Sequence, residues 1–395
     1  MIPAVFWICV LLIVYAYAIY PLLLWIIARF IPRHRPYEVF EPQVTLMIAA
    51  FNEKDSIASK LENSLSLDYP RDCLQILVAD DGSEDGTTDI VRSFAGRGVE
   101  ISLRSKRQGK MANISSAMES ARGDIIVMSD ANNIYGKNAI RALVMPFQDP
   151  GVGATGGSKK IIQGDGALGA SEGLYWKYES WIKKQETYLG STTSATGEAL
   201  AIRRELFVQP PPGIINDDFY IMMSVIKRGY RMIYVPEVES YERVSLTAAD
   251  EMERRARIIA GRYQAFSLMR TLMPLDQPIV MWQIFSHKLL RPLIPFFMVG
   301  AFLASLASVI LPLQGGLLGL SFPYNWLIFI AQIIFYLLAW VGKYFENSGI
   351  VGRLLYLPTF FVNSNFSAIL GLVRFLTGKQ SAQWARAKRR EGVNG

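Results

Sequence analysis

Apolar positions along the chain fall into three regimes. Residues 2–30 are almost continuously apolar, long enough to cross a bilayer with some tilt. Residues 36–277 have the mixed composition of a globular domain, and long apolar runs return after residue 278. The chain therefore divides into a transmembrane helix at 1–35, a globular domain at 36–277, a membrane-associated region at 278–376 and a basic tail at 377–395. Inside the globular domain, short β-forming runs alternate with helical patterns. A strand is predicted at 44–50, then a helix through Leu65, then a strand at 74–79 and a helix carrying Ile90, Val91 and Phe94. Further strands are predicted at 99–103 and 124–128, with a helix over 111–121 between them. This alternation predicts an α/β fold with a parallel, doubly wound sheet. Ligands of such sheets bind beyond the carboxyl ends of the strands. Asn52-Glu53, Asp80-Asp81 and Asp130-Ala131-Asn132 stand at three of those ends. Acidic groups gathered on one rim cost energy unless a cation or a donor-rich ligand joins them.

Membrane topology follows from the flanking charges. The first apolar run opens without charge and closes on Arg29, Arg33 and Arg35, which places Met1 outside and the globular domain in the cytoplasm. It lacks the charged start, short core and cleavage site of a signal peptide. Residues 293–311 and 325–342 are two further candidate spans, joined by a loop with Pro312, Gly315, Gly316 and Pro323. Residues 278–291 mix Trp282 and Phe285 with His287, Lys288 and Arg291, the pattern of an amphipathic helix lying in the interface. The last run, 350–376, is interrupted by Pro358, Asn363 and Asn365 and bracketed by Arg353 and Arg374. Three crossings are predicted, with this last run interfacial or re-entrant. That keeps the basic tail on the cytoplasmic side of a cell (inner) membrane.

Composition narrows the chemistry. The chain of 395 residues is 51% hydrophobic and carries a net charge of +7, much of it beside apolar segments. That placement suits anionic lipid, and the globular domain lacks the interleaved basic and aromatic residues of a nucleic-acid surface. Cys9 lies in the first apolar run and Cys73 in the globular domain, so no disulfide is expected between them. Only two histidines, His34 and His287, are present, which argues against zinc. Asp130 and Asn132, one residue apart after a buried strand, can both aim oxygen at a hard cation such as Mg²⁺ or Mn²⁺.

The order of motifs adds a resemblance. Residues 49–53 (Ala-Ala-Phe-Asn-Glu), Asp80-Asp81-Gly82-Ser83, Gly109-Lys110 with Asn113, and Gly123-Asp124 leading to Asp130 resemble the nucleotide-binding half of a family 2 glycosyltransferase. Cellulose, hyaluronan and chitin-oligosaccharide synthases belong to that family. The resemblance implies a GT-A fold (Rossmann-like, with a mostly parallel sheet), a nucleoside-diphosphate sugar donor, usually a UDP-sugar, and inversion at the anomeric carbon. It places Asn52, Glu53, Asp80 and Asp81 at the base and ribose, Lys110 at the diphosphate, and Asp130 and Asn132 on the metal. Asn132 stands where a second aspartate is usual, so the metal loses one charged ligand.

Residues 194–204, including Gly197, resemble the family's segment lining the acceptor and donor-sugar pocket. Asn216-Asp217-Asp218 matches the position of the family's catalytic Thr-Glu-Asp motif. Asp218, rather than Asp217, is then the base, although both also suit the start of a helix. Arg254 and Arg257 resemble the Gln-x-x-Arg-Trp motif, with Arg257 as a diphosphate clamp. Arg254 replaces its glutamine and Ile258 its tryptophan. Trp384, with Arg386, resembles a tail that folds over the donor site; an interfacial anchor is the other reading of Trp384. The implied partners are the donor, a glycan or lipid-linked acceptor, membrane lipid and an oligomer or secretion partner. Three functions stay open: extension of a growing glycan, transfer of one sugar to a membrane lipid, and a silent nucleotide-sugar-binding scaffold.

Overall fold

The computed structural model describes residues 1–32, 40–161, 166–242, 245, 247–311, 313–345 and 349–380. The chain opens with α1 (Ile2–Val14) and α2 (Tyr20–Ala28), joined by one wider turn into a continuous apolar helix. The globular domain then follows the predicted alternation: β1 (Val44–Ala50), α3 (Lys54–Leu65), β2 (Leu74–Asp80), α4 (Thr87–Ser93), β3 (Val99–Leu103), α5 (Lys110–Ala117) and β4 (Ile125–Asp130). After these come β5 (Ile134–Tyr135), α6 (Ala139–Val144), β6 (Val152–Ile161), α7 (Gly166–Tyr188), β7 (Leu200–Arg203), α8 (Asp217–Lys227), β8 (Arg231–Glu242) and α9 (Ala248–Ser267). The chain ends through α10 (Met269–Leu272), α11 (Pro278–Gln283), α12 (Ile294–Ile310), α13 (Tyr324–Gly342) and α14 (Gly349–Leu376).

One sheet of eight strands runs in the order β3-β2-β1-β4-β7-β6-β8-β5. Its first four strands are parallel, and the register sets Ala50 beside Asp80 and Ala49 beside Asp130. Their carboxyl ends therefore form one rim. The second half corrects the parallel expectation: β7 is antiparallel to both β4 and β6, and β5 to β8, while β6 and β8 pair in parallel. Both sheet faces are covered. Val44, Leu46 and Ile48 of β1 pack with Ile57 and Leu61 of α3, and Met47 packs on the other side with Ile114 and Met222. That two-sided burial is why these strands read as nearly unbroken apolar runs.

Four helices are long and apolar enough to cross a membrane: Ile2–Ala28, Pro278–Ile310, Tyr324–Phe345 and Gly349–Leu376. Phe6 and Cys9 pack on Ala301 and Ala304, tying the first to the second. Two expectations change. His287, Lys288 and Arg291 do not form the wet face of an interfacial helix; all three are buried against α7, while Ile279, Phe285 and Phe296 point outward. Residues 349–376 form one unbroken helix that keeps Pro358 inside it, so the re-entrant arrangement is not seen. Asn365 donates to Phe361 O within the helix, so its amide does not interrupt it. The second half of α14 lies along α9: Arg374 pairs with Glu253, and Phe375 stacks on Tyr263. The flanking arginines Arg33 and Arg35 lie outside the described residues.

Candidate active site

The rim is stitched from polar side chains. Asn52 adopts a left-handed backbone (φ 54°), a conformation asparagine tolerates better than most residues. Its Oδ1 accepts from Glu84 N at 2.9 Å, and its own N–H donates to Ser83 Oγ at 2.9 Å. Glu53 is buried, with Oε2 accepting from Ser56 Oγ at 2.6 Å. Asp80 has no exposed surface: Oδ1 accepts from Ser83 N and Oγ, and Oδ2 from Thr88 Oγ1. A base or ribose would have to displace one of these donors to reach it. Asp81 accepts from Gln108 N at 2.9 Å and Gly109 N at 2.7 Å, which fixes the turn that launches Lys110.

Lys110 points back across the rim. Its Nζ lies 2.5 Å from Asp130 Oδ1, joining the residue expected at the diphosphate to the one expected at the metal. Burial works against the ammonium, but Asp130, then Asp217 and Asp218, outweigh it and hold its pKa above the usual lysine range. Asp217 and Asp218 open α8, where Asp217 Oδ1 accepts from Asp218 N at 2.9 Å. Burial and the neighbouring Asp217 push the Asp218 carboxyl up to about 6. Gly197 lies flat on this base: a Cβ there would stand 3.4 Å from Asp218 Cβ. Arg257 arrives from α9; burial lowers its pKa, against the opposing charges of Asp217 and Asp218. Its helix is seated by Gly261, where a Cβ would fall 2.4 Å from Asn216 Cγ. Asn216 Nδ2 also donates to Ile258 O at 2.8 Å.

Five residues from distant parts of the chain are thus linked electrostatically: Lys110 with Asp130, Asp217 and Asp218, and Arg257 with Asp217 and Asp218. Asn132 is half-buried beside Asp130 and makes no hydrogen bond to any described residue, so its amide oxygen is available to a cation. One carboxylate and one amide fit a Mg²⁺ or Mn²⁺ ion that takes its other ligands from phosphate and water. No cluster of three or more metal-ligating acids, histidines or cysteines exists among the described residues. Arg254 is engaged elsewhere, by Glu251 and Glu172 at 2.7 Å each. Trp384 lies outside the described residues.

Asn133 escaped the sequence reading. Its Oδ1 accepts from Lys60 Nζ and Ser129 Oγ at 2.9 Å, and its Nδ2 donates to Glu198 O at 2.8 Å. Tyr135 donates to the same carbonyl at 2.5 Å. The metal-side rim is thereby bonded to the turn that carries Gly197. Burial brings Lys60 down to about 7. A lysine at an apolar spacing in α3 was the available signal.

This architecture, with its polar strand ends and attached apolar helices, is the GT-A fold. The chain belongs to the glycosyltransferase-like family 2, whose model matches residues 42–261. It is 25% identical over 240 residues to a poly-beta-1,6-N-acetyl-D-glucosamine synthase of Staphylococcus aureus, covering 58% of each chain. It is likewise 25% identical over 281 residues to the probable glycosyltransferase YdaM of Bacillus subtilis, covering 65% of this chain and 64% of that one. The chain thus spans less than two thirds of these relatives. Among solved structures, the mannosyltransferase PcManGT of Pyrobaculum calidifontis, in complex with GDP-Man and Mn²⁺, superposes with a TM-score of 0.69 at 22% identity. That match covers 96% of this chain and all of the other, and it supports the fold.

Proposed function

We propose that the protein is an inverting glycosyltransferase. It moves a sugar from a nucleoside-diphosphate donor, a UDP-hexose or UDP-N-acetylhexosamine, to a growing glycan at the cytoplasmic face of the cell (inner) membrane. The observation that carries this reading is the electrostatic convergence of Lys110, Asp130, Asp217, Asp218 and Arg257, with Gly197 against Asp218. Asp218 takes the proton from the acceptor hydroxyl as that oxygen bonds to the anomeric carbon. The bond from the anomeric carbon to the diphosphate oxygen breaks on the opposite face, and its electron pair leaves with the nucleoside diphosphate. A base titrating near 6 is ionised at neutral pH yet basic enough to accept the proton. Lys110 and Arg257 are the cations that receive the diphosphate, Arg257 by the fork geometry suited to phosphate. Asp130 and Asn132 would hold a divalent cation, which supplies charge neutralisation to the leaving group.

The relative named as a polymer synthase supports glycan extension. The deciding experiment supplies the full chain in lipid nanodiscs with a panel of UDP-sugars and GDP-mannose, with and without Mg²⁺ or Mn²⁺. Nucleotide release and product length are read together. Release from a UDP-sugar with products longer than one added residue is expected. A lipid carrying a single sugar would replace glycan extension by transfer to a membrane lipid. Release from GDP-mannose alone would overturn the UDP-sugar donor, and no release from any donor would leave the scaffold reading.

A further inference from the structure

One buried stripe of α7 carries glutamates at heptad spacing: Glu172, Glu179 and Glu186. Each is met by partners from outside the helix. Arg254 takes Glu172, Arg291 and His287 take Glu179, and His287 and Tyr20 take Glu186. Lys183 lies on the same stripe, 3% exposed, and differs from them. No described residue gives its ammonium a hydrogen bond or an ion pair. Its Nζ instead stands 5.6 Å from the centre of the Trp176 ring and 5.3 Å from that of Tyr234. Trp176, one heptad earlier, contributes a second buried donor without an acceptor, its Nε1.

Polar groups are rarely buried without partners, and an ammonium least of all. Of the two unmet donors, Lys183 is the one linked to the proposed base. Lys183 is within electrostatic reach of Glu179, Glu198, Glu186 and Asp218. Glu198 follows the glycine that lies on Asp218. Loop residue Ser194, three positions before that glycine, is held by Lys288. Lys183 is thereby linked to the base through the segment that carries Gly197 and Glu198.

We propose that Lys183 and Trp176 bind the acceptor, donating from Nζ and Nε1 to hydroxyl oxygens of its terminal sugar, with the Trp176 and Tyr234 rings as apolar walls. This rests on the assignment of Asp218 as the base. The chemistry favours a neutral, hydroxyl-rich glycan over a lipid phosphate. Lys183 already faces four carboxylates, and the neighbouring cations Arg291 and Lys288 are tied to Glu179 and Ser194. Lys159 Nζ also stands 5.2 Å from the centre of the Trp176 ring, but the four carboxylates around Lys183 outnumber Lys159 and Lys183 together, and a hydroxyl needs no surplus charge.

The test uses the full chain in nanodiscs with oligomers of N-acetylglucosamine, glucose and mannose as probes, alongside vesicles carrying polyprenyl phosphate. Lys183→Met is expected to raise the acceptor KM about tenfold or more, with the donor KM within threefold. Lys183→Arg should recover part of that loss, and Trp176→Phe, which removes the N–H and keeps an aromatic ring, should raise the acceptor KM several-fold. Where Lys183→Met fails to fold, the other two variants carry the comparison. Calorimetric binding of the oligomer in an Asp218→Asn background needs no turnover, so it separates this proposal from the base assignment. An unchanged acceptor KM alongside an altered melting temperature would make Lys183 purely structural and overturn the proposal. So would a change confined to polyprenyl phosphate, or no binding of any oligomer by the unaltered chain.

Discussion

Lys110 Nζ and Asp130 Oδ1 lie 2.5 Å apart, across the rim between the start of α5 and the end of β4. A lysine so placed offsets the charge of an acidic rim. Under the proposed function, Asp130 would have to leave the lysine to hold a cation, and the lysine would turn to the phosphates.

Lys110→Met separates these roles. Donor affinity should fall about 10- to 100-fold with the loss of a charge-assisted contact. Mn²⁺ affinity without nucleotide should rise, because Asp130 is freed. Calorimetry of each ligand alone reads both directions, and a parallel loss of the two would refute the exchange.

As the proposed base, Asp218 should set the acid limb of the pH profile. The base must be ionised, so turnover should drop about tenfold per pH unit below about 6. Asp218→Asn should lower kcat about 10²–10⁴-fold and remove that limb. Stability runs the other way. Because the folded pKa lies above the unfolded value, the carboxylate destabilises the fold at neutral pH, and protonation relieves it as pH falls through about 6. Asp218→Asn should therefore melt higher than the unaltered protein at pH 7, with the gap closing as pH is lowered.

Gly197 is predicted to be graded by size. An alanine Cβ would rest in ordinary contact at 3.4 Å from Asp218 Cβ, so Gly197→Ala should cost less than threefold in kcat. Gly197→Val pushes on the carboxylate and should cost far more while the melting temperature barely moves. Equal effects of the two variants on kcat would mean that the contact has no bearing on the base.

Gly261→Leu tests how Arg257 is seated. The new side chain would strike Asn216 and shift α9 off the start of α8. Overpacking of this kind costs about 1–3 kcal/mol. Donor KM should rise with it, approaching that of Arg257→Ala, and kinetics of the two variants side by side decide the matter.

Glu186 joins three parts of the chain. Its Oε1 accepts from Tyr20 at 2.7 Å and lies 2.7 Å from His287 Nδ1, while Oε2 accepts from Thr192 and Thr193. Burial opposes the charge, but His287 and Lys288 keep the carboxyl down at about 2. Glu186→Ala should cost about 3–5 kcal/mol by stranding buried partners. Thermal unfolding in nanodiscs measures it; a shift of under 2 °C would show that the network does not hold the apolar helices to the domain.

The sequence alone determined the parts with a local cause. Seven-residue β1 and β2, the polar strand ends and the first apolar helix follow from runs of β-forming or membrane-compatible residues, which act over a few neighbours. The family was legible because Asp80, Lys110, Asp130 and Asp218 keep an order along the chain. Pairing and burial lay beyond reach. The antiparallel entry of β7 beside β4 depends on a strand seventy residues away. His287, Lys288 and Arg291 read as a wet helix face because their partners, Glu179 and Glu186 of α7 and Ser194 beyond it, sit about a hundred residues earlier. Lys183 looked like any helix lysine until the tertiary structure enclosed it between two aromatic rings. Only the folded chain decides which charges are desolvated together, because that energy belongs to neighbours in space.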